Sequence, residues 1–438
     1  MLLNAADKAL WRLALPMIFS NITVPLLGLV DTAVIGHLDS PVYLGGVAVG
    51  ATATSFLFML LLFLRMSTTG LTAQAWGAKD PQRLARALVQ PLALALGAGV
   101  LIILLRLPLI DLALHIVGGS EAVLEQARRF LEIRWLSAPA SLANLVLFGW
   151  LLGVQYARAP VILLVVGNLL NIVLDLWLVM GLRMNVQGAA LATVTAEYAT
   201  LIIGLLMAKR VLTLRGVSLA MLKNAWRGDL RRLLALNRDI MLRSLLLQLC
   251  FGALTVFGAR LGSDIVAVNA VLMTMLTFTA YALDGFAYAV EAHSGQAYGA
   301  RDGSQLLEVW RAACRQSGMV ALAFALIYSL AGQYIIALLT SLPSLQQLAD
   351  RYLIWQTILP VVGVWCYLLD GMFIGATRGA EMRNSMAVAA AGFAVTLLTL
   401  PVLGNHGLWL ALAVFLALRG LSLALIWRRH WRRGTWFS

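Results

Sequence analysis

Apolar residues fill this chain in long stretches that charged and turn-forming residues interrupt only briefly. A helix needs about 20 such residues to cross a bilayer. The pattern predicts twelve spans, near residues 10–36, 43–71, 87–107, 130–155, 159–181, 186–208, 239–260, 265–291, 312–340, 352–377, 384–402 and 406–427. Several of these runs carry one charge in their interior. The longest polar connection, 211–235, holds Arg215, Lys223, Arg227, Asp229, Arg231 and Arg232 and lies at the midpoint of the chain.

An internal repeat organises the spans. Residues 72–80 read TAQAWGAKD and residues 294–302 read SGQAYGARD, with five of nine positions identical at an offset of 222 (294 − 72). The same offset relates VIG at 34–36 to VFG at 256–258, Arg129-Phe130-Leu131 to Arg351-Tyr352-Leu353, and Gly149 and Gly153 to Gly371 and Gly375. Two halves of six spans enter the membrane the same way, which is a parallel repeat about an axis along the membrane normal. The expected fold is therefore an all-α membrane protein of two pseudo-symmetric six-helix bundles. Residues 1–210 form the first bundle, 211–235 a cytoplasmic linker and 236–438 the second bundle. In such repeats substrate and ion sites lie near the bilayer midplane, so transport is the default function.

Composition narrows the classes further. Of 438 residues, 61% are hydrophobic and 12% charged, against about 45–50% and about 25% in soluble domains. That excludes a soluble enzyme, a disordered chain and a disulfide scaffold. The net charge of +13 is read as membrane orientation, not as a nucleic-acid surface. With the N-terminus and the even-numbered connections on one face, that face holds 23 Lys and Arg and the other holds 7. Both termini and the linker are thus expected in the cytoplasm. The three cysteines and five histidines are scattered, so no disulfide framework, zinc site or cofactor is expected. An integral-membrane enzyme lacks its constellation for the same reason. The first apolar run is longer than a signal-peptide core.

Acids inside spans single out candidate chemistry, because an Asp at a helix centre costs about 2.5–3.5 kcal/mol to insert. Six fall in or near the spans: Asp31, Asp175, Glu197, Asp284, Glu291 and Asp370. Asn168, Asn171 and Asp175 share a helix face at i, i+3 and i+7. The next span carries Thr193 and Glu197 at i and i+4, so five polar side chains on adjacent spans are candidates to converge. Pro16 and Pro25 are candidate kink or gating positions in the span of Asp31. In the second half Asp284 and Glu291 lie seven apart, Asp370 stands in the apolar run CYLLDGMFIG, and Arg243 is a candidate ion-pair partner. The structural reading of these groups is interhelical hydrogen bonding and ion pairing.

LVDTAVIGHL in the first span, the TAQAWGAKD and SGQAYGARD loops, and NIVLDLWLVMG in the fifth span resemble the multidrug and toxic compound extrusion (MATE) family, in its DinF branch, over essentially the whole chain. The resemblance implies cation-coupled antiport of organic cations and other amphiphiles by alternating access. It implies a coupling site at Asp31, Asp175, Asn171 and Thr193, with Asn144 as a further polar partner. Pro16 matches a first-span proline whose kink reshapes that lobe, and Asp370 matches an acid of the sodium-type second-half site. Where that site expects a seventh-span Glu, the chain reads LLLQLC with Gln248. The coupling site is therefore expected in the first half. Low-dielectric surroundings disfavour an ionised carboxylate, and two clustered acids resist joint ionisation, so the proton is the expected coupling ion. The Asn and Thr oxygens keep Na⁺, held at Asp31 and Asp175, as the alternative. A monomer in the bacterial inner membrane, contacting lipid and small-molecule substrates but no nucleic acid, completes the expectation. The competing readings are a lipid-linked oligosaccharide flippase, which favours an Arg-lined cavity for phosphates, and a non-transporting membrane interaction protein.

Overall fold

The structure, a computed structural model, describes residues 4–36, 38, 40–228 and 230–438, with the side chains of 23–33 and 36 outside the description. The first half is built from α1 (Ala5–Gly36), α2 (Pro41–Leu60), α3 (Phe63–Gly77), α4 (Pro81–Leu104), α5 (Arg106–Val117), α6 (Glu121–Arg134), α7 (Ala138–Gly153), α8 (Arg158–Asp175) and α9 (Asn185–Leu214). After α10 (Leu219–Asn224) come α11 (Leu230–Leu261), α12 (Ser263–Ala300), α13 (Gly303–Leu339), α14 (Pro343–Gly375), α15 (Gly379–Thr396), α16 (Leu400–Leu403) and α17 (Asn405–Arg433). Eleven helices among the described residues are long and apolar enough to cross a membrane, and α1 is a further helix of 32 residues. The chain is a multi-pass membrane protein.

Two compact bodies result, one of residues 22–234 and one of residues 1–21 with 235–438. The two bodies meet in sequence at 234/235, and the first part of α1 belongs with the second half. Named contacts account for this. Trp11 Nε1 donates to Gln316 Oε1 at 3.0 Å, Asn21 Nδ2 donates to the Tyr281 carbonyl at 3.1 Å, and Arg315 pairs with Asp7 at 3.0 Å. A Cβ on Gly285 would lie 2.3 Å from Ile18 Cγ1, so only a glycine lets α12 approach α1 this closely.

Each body surrounds one central span. In the first body Glu121–Gly153 has 78% of its apolar window buried, and in the second Pro343–Gly375 has 72%. These segments begin 222 residues apart (343 − 121). The outer helices instead turn Leu, Ile, Val and Phe outward, as with Leu206, Leu330 and Val402, which fits a hydrocarbon surround and not water. Packing is matched between the two bodies at the glycines of the repeat. A Cβ on Gly149 would lie 2.6 Å from the Arg65 carbonyl, and one on Gly371 would lie 2.7 Å from the Ala287 carbonyl. Gly153 abuts Thr72 as Gly375 abuts Ser294. All four pairs obey the 222 offset, so the sequence repeat is a repeat of backbone-to-backbone helix contact.

The repeated motifs expected as loops are mostly helix. Residues 72–77 end α3 and residues 294–300 end α12. Their chemistry is that of a helix stop and restart. Lys79 and Arg301 take left-handed φ of 53° and 54°. The next amide reaches back to the Ala75 carbonyl at 3.2 Å or the Ala297 carbonyl at 3.0 Å, closing a Schellman turn. Asp80 and Asp302 then cap α4 and α13 by accepting from the Arg83 and Gln305 amides. The expected span 43–71 is divided at residues 61–62 into α2 and α3. The charged residues Arg106 and Asp111 masked α5 within what reads as a connection.

Candidate functional site

In the first body, α8 ends on the polar face expected from its spacing. Asn171 and Asp175 are 2% and 1% exposed, while Asn168, nearer the start of the helix, is half-buried. From Leu176 to Gly181 the chain widens into a π-helix, closed by the Leu182 amide on the Trp177 carbonyl at 2.9 Å. Such stretches are rare and frequent at functional sites. Here one begins directly after the buried acid. Asn171 Oδ1, buried, has no hydrogen-bond partner among the described residues. Asp31 and Pro25 lie on α1, and their side chains are outside the described residues.

Thr193 and Glu197, expected on the next span, have the following partners. Thr193, half-buried, donates to the Ala189 carbonyl of its own helix at 3.2 Å. Glu197 instead turns to α6 and α7. Ser141 Oγ donates to Glu197 Oε2 at 3.0 Å, and Asn144 Nδ2 donates to the same oxygen at 3.3 Å and to the Glu197 carbonyl at 3.1 Å. Arg134 reaches Glu197 Oε1 at 3.7 Å and also donates to Ser137. Asn144 therefore acts with Glu197. Arg134 and Ser141 were missed although both lie in the expected span 130–155, because only acids and their amide and hydroxyl neighbours on adjacent spans were considered there. Pro16, half-buried, lies in the part of α1 that packs within the second body, not in the first bundle as expected.

One of the second-half acids, Asp370, is held by two arginines. Asp370, 7% exposed on α14, accepts from Arg243 of α11 at 2.7 Å and also pairs with Arg419 of α17. Arg243 and Arg419 are themselves buried. Two guanidinium groups to one carboxylate make a buried triad whose stability depends on every member staying paired. Asp284, half-buried on α12, sets its charge within electrostatic reach of Cys366, one turn before Asp370. Glu291 is buried at 2%. A Cβ on Gly375 would lie 2.8 Å from the Glu291 carbonyl, so this acid sits on a close α12–α14 contact. Arg419, like Arg243, is a charge inside an expected span, here 406–427, and that is the signal in the sequence that marks it.

Comparison with known proteins bears on this architecture. The MatE family model matches residues 16–177 and 240–403. The chain is 87% identical over 436 residues to the DNA damage-inducible protein F of Escherichia coli (strain K12), covering 100% of this chain and 95% of that protein. It is 23% identical over 385 residues to the multidrug export protein MepA of Staphylococcus aureus (strain MSSA476), covering 86% and 83% respectively. Among solved structures, a MATE crystal structure in a bent conformation superposes with a TM-score of 0.84 at 23% identity, covering 98% of this chain and 96% of that one.

Proposed function

The chain belongs to the MatE family of membrane transporters and is not an enzyme, and from that premise we propose that it is a cation-coupled antiporter. It exports organic cations and other amphiphilic compounds from the cytoplasm by alternating access. The multidrug export named for the Staphylococcus aureus relative supports this substrate class.

One observation carries the reading: Asp175 and Asn171 are both buried on the same face of a span, directly before a π-helical turn. In the proposed cycle, Asp175 with Asp31 takes up a proton in the outward-facing state. The neutralised site then disfavours a cationic substrate. Loss of the proton toward the cytoplasm restores the negative charge and substrate affinity. Coupling requires this difference in affinity between states, not occupancy alone. Na⁺ is the second reading, favoured by the buried Asn171 Oδ1 that lacks a partner among the described residues, since hard cations take oxygen ligands. The second-half acids serve structure in this scheme, because Asp370 is already neutralised by Arg243 and Arg419. The same pairing disfavours the flippase reading, whose phosphates need uncommitted interior arginines.

The excess of basic residues on the linker side supports cytoplasmic termini in a bacterial inner membrane. The test of function is dye efflux from proteoliposomes under separate pH and Na⁺ gradients. Efflux driven by the pH gradient supports proton coupling. A response to Na⁺ alone moves the assignment to Na⁺, and no response to either overturns the antiporter reading.

A further inference from the structure

Arginines from two helices of the first body line one small cavity that the transport cycle does not use. Arg83, Arg86 and Gln90 lie on one face of α4 at i, i+3 and i+7, and Arg232 comes from the start of α11. Leu71 and Leu233 supply apolar walls. The cavity measures about 60 Å³. At about 10–15 Å³ per water by the same measure, that is room for about the oxygens of one tetrahedral oxyanion.

The polypeptide is organised around it. Gln90 Nε2 donates to the Trp226 and Gly228 carbonyls at 3.2 and 3.1 Å, which ties the end of the linker onto α4. Gly228 has φ of +110°, and a Cβ there would lie 3.0 Å from the Arg86 guanidinium carbon. Only glycine both adopts this conformation and leaves the guanidinium its place. Arg86 Nε, buried, has no hydrogen-bond partner among the described residues. Arg232 also donates to Gln74 Oε1 at 3.3 Å, and Asp80 spends its carboxylate on capping α4. Asp229, in the same connection, lies outside the described residues. Guanidinium groups present planar, forked donors that match phosphate oxygens.

We propose that this cavity binds the phosphate of an anionic phospholipid headgroup. The source is lipid because α4 is a membrane span whose polar face occupies only its first ~15 Å, and because the cavity walls are otherwise apolar. Basic pockets beside transmembrane helices on the cytoplasmic side hold such headgroups. The bound lipid would fasten the linker, through Gly228 and Arg232, to the end of the first body.

The test is native mass spectrometry of the full-length protein in detergent, after adding phosphatidylglycerol, phosphatidylcholine or inorganic phosphate at matched concentration. Wild type should retain phosphatidylglycerol at least about tenfold better than phosphatidylcholine. Arg86→Gln should lose about tenfold of that retention, the effect of roughly one charge-assisted hydrogen bond. Arg128→Gln, which removes an arginine paired with Asp111 elsewhere, should lose none. Equal retention of the two lipids by wild type, or unchanged phosphatidylglycerol retention by Arg86→Gln, overturns the site. Retention of inorganic phosphate without retention of phosphatidylglycerol overturns the lipid source. If Arg86→Gln does not fold, hydrogen exchange in wild type decides: slowing across residues 226–233 with phosphatidylglycerol alone supports the site, and no difference between lipids refutes it.

Discussion

Glu197 of α9 and Arg419 of α17, on the last long helix of each half, carry opposite charges. Each is held by a partner of opposite sign in its own body, Glu197 by Arg134 at 3.7 Å and Arg419 by Asp370. The repeated fold thus carries an acid-centred network with Ser141 and Asn144 in one body and an arginine-rich triad in the other. A cation arriving at Asp370 would have to displace a tethered guanidinium and leave it buried without a counter-ion, which costs several kcal/mol. This asymmetry is the physical reason to seek ion coupling in the first half.

Asp370→Asn should therefore act on stability before it acts on transport. It leaves Arg243 and Arg419 buried with their carboxylate gone, and breaking a buried pair in this way costs about 3–5 kcal/mol. A triple variant, Arg243→Met with Asp370→Leu and Arg419→Met, should recover most of that loss, because apolar replacements of buried ion groups are often neutral or better. Thermal unfolding of purified protein measures both, with efflux normalised to folded protein. An Asp370→Asn protein with unchanged melting and no efflux would reverse the assignment.

The glycines of the repeat give a prediction with two signs. A methyl group at Gly149, Gly371 or Gly375 would meet backbone or hydroxyl oxygen at 2.6–2.7 Å, so each Gly→Ala change should destabilise by about 1–3 kcal/mol. Gly97 and Gly252 lie inside α4 and α11 with nothing within 4 Å of a built Cβ. There Gly→Ala should be neutral or stabilise by up to about 1 kcal/mol, from helix propensity. Melting temperatures of the five variants test the sign at each position.

Hydrophobic run length made the twelve expected spans legible, and the 222 offset made the duplicated architecture legible, because both are one-dimensional signals. The face of Asn168, Asn171 and Asp175 was readable for the same reason, since helical periodicity fixes which residues share a side. What stayed hidden depends on which helix meets which. Nothing in the chain around Glu197 announces Arg134, 63 residues earlier (197 − 134), and nothing near Asp370 announces both arginines. The first part of α1 reads as part of the first bundle because it precedes it. Its place is set by Trp11, Asn21 and Asp7 finding partners far along the sequence.

The last residues of the chain should matter to the second body. Trp436 is 2% exposed and lies edge-on to Phe373 at 5.1 Å, beneath the guanidinium of Arg378 at 4.9 Å. Arg378 also donates to the Thr435 and Trp436 carbonyls at 3.0 and 2.9 Å. Trp436→Ala removes a fully packed indole and should cost about 3–5 kcal/mol, whereas Trp226→Ala, at an indole 61% exposed, should cost under about 1 kcal/mol. Comparable melting of the two variants would show that the tail contributes no packing energy.

Asp175→Asn is the sharpest test of the proposed cycle. Asparagine matches aspartate in size, so the face shared with Asn171 and the π-helical stretch from Leu176 to Gly181 should persist, with melting within about 1 kcal/mol of wild type. The amide neither titrates nor carries charge, so the site can no longer alternate between a negative form that favours a cationic substrate and a neutral form that releases it. Binding free energy then no longer differs between ion-bound and ion-free states, and without that difference a gradient cannot drive substrate. Proteoliposome efflux under an imposed pH gradient should fall at least about tenfold in Asp175→Asn and in Asp31→Asn, while Asp370→Asn, corrected for folded protein, retains most of its efflux. Substrate bound by Asp175→Asn should also lose its dependence on pH. Full gradient-driven efflux by Asp175→Asn would remove this residue from the coupling mechanism, and efflux that follows Na⁺ with no response to pH would replace the proton with Na⁺ at the same site.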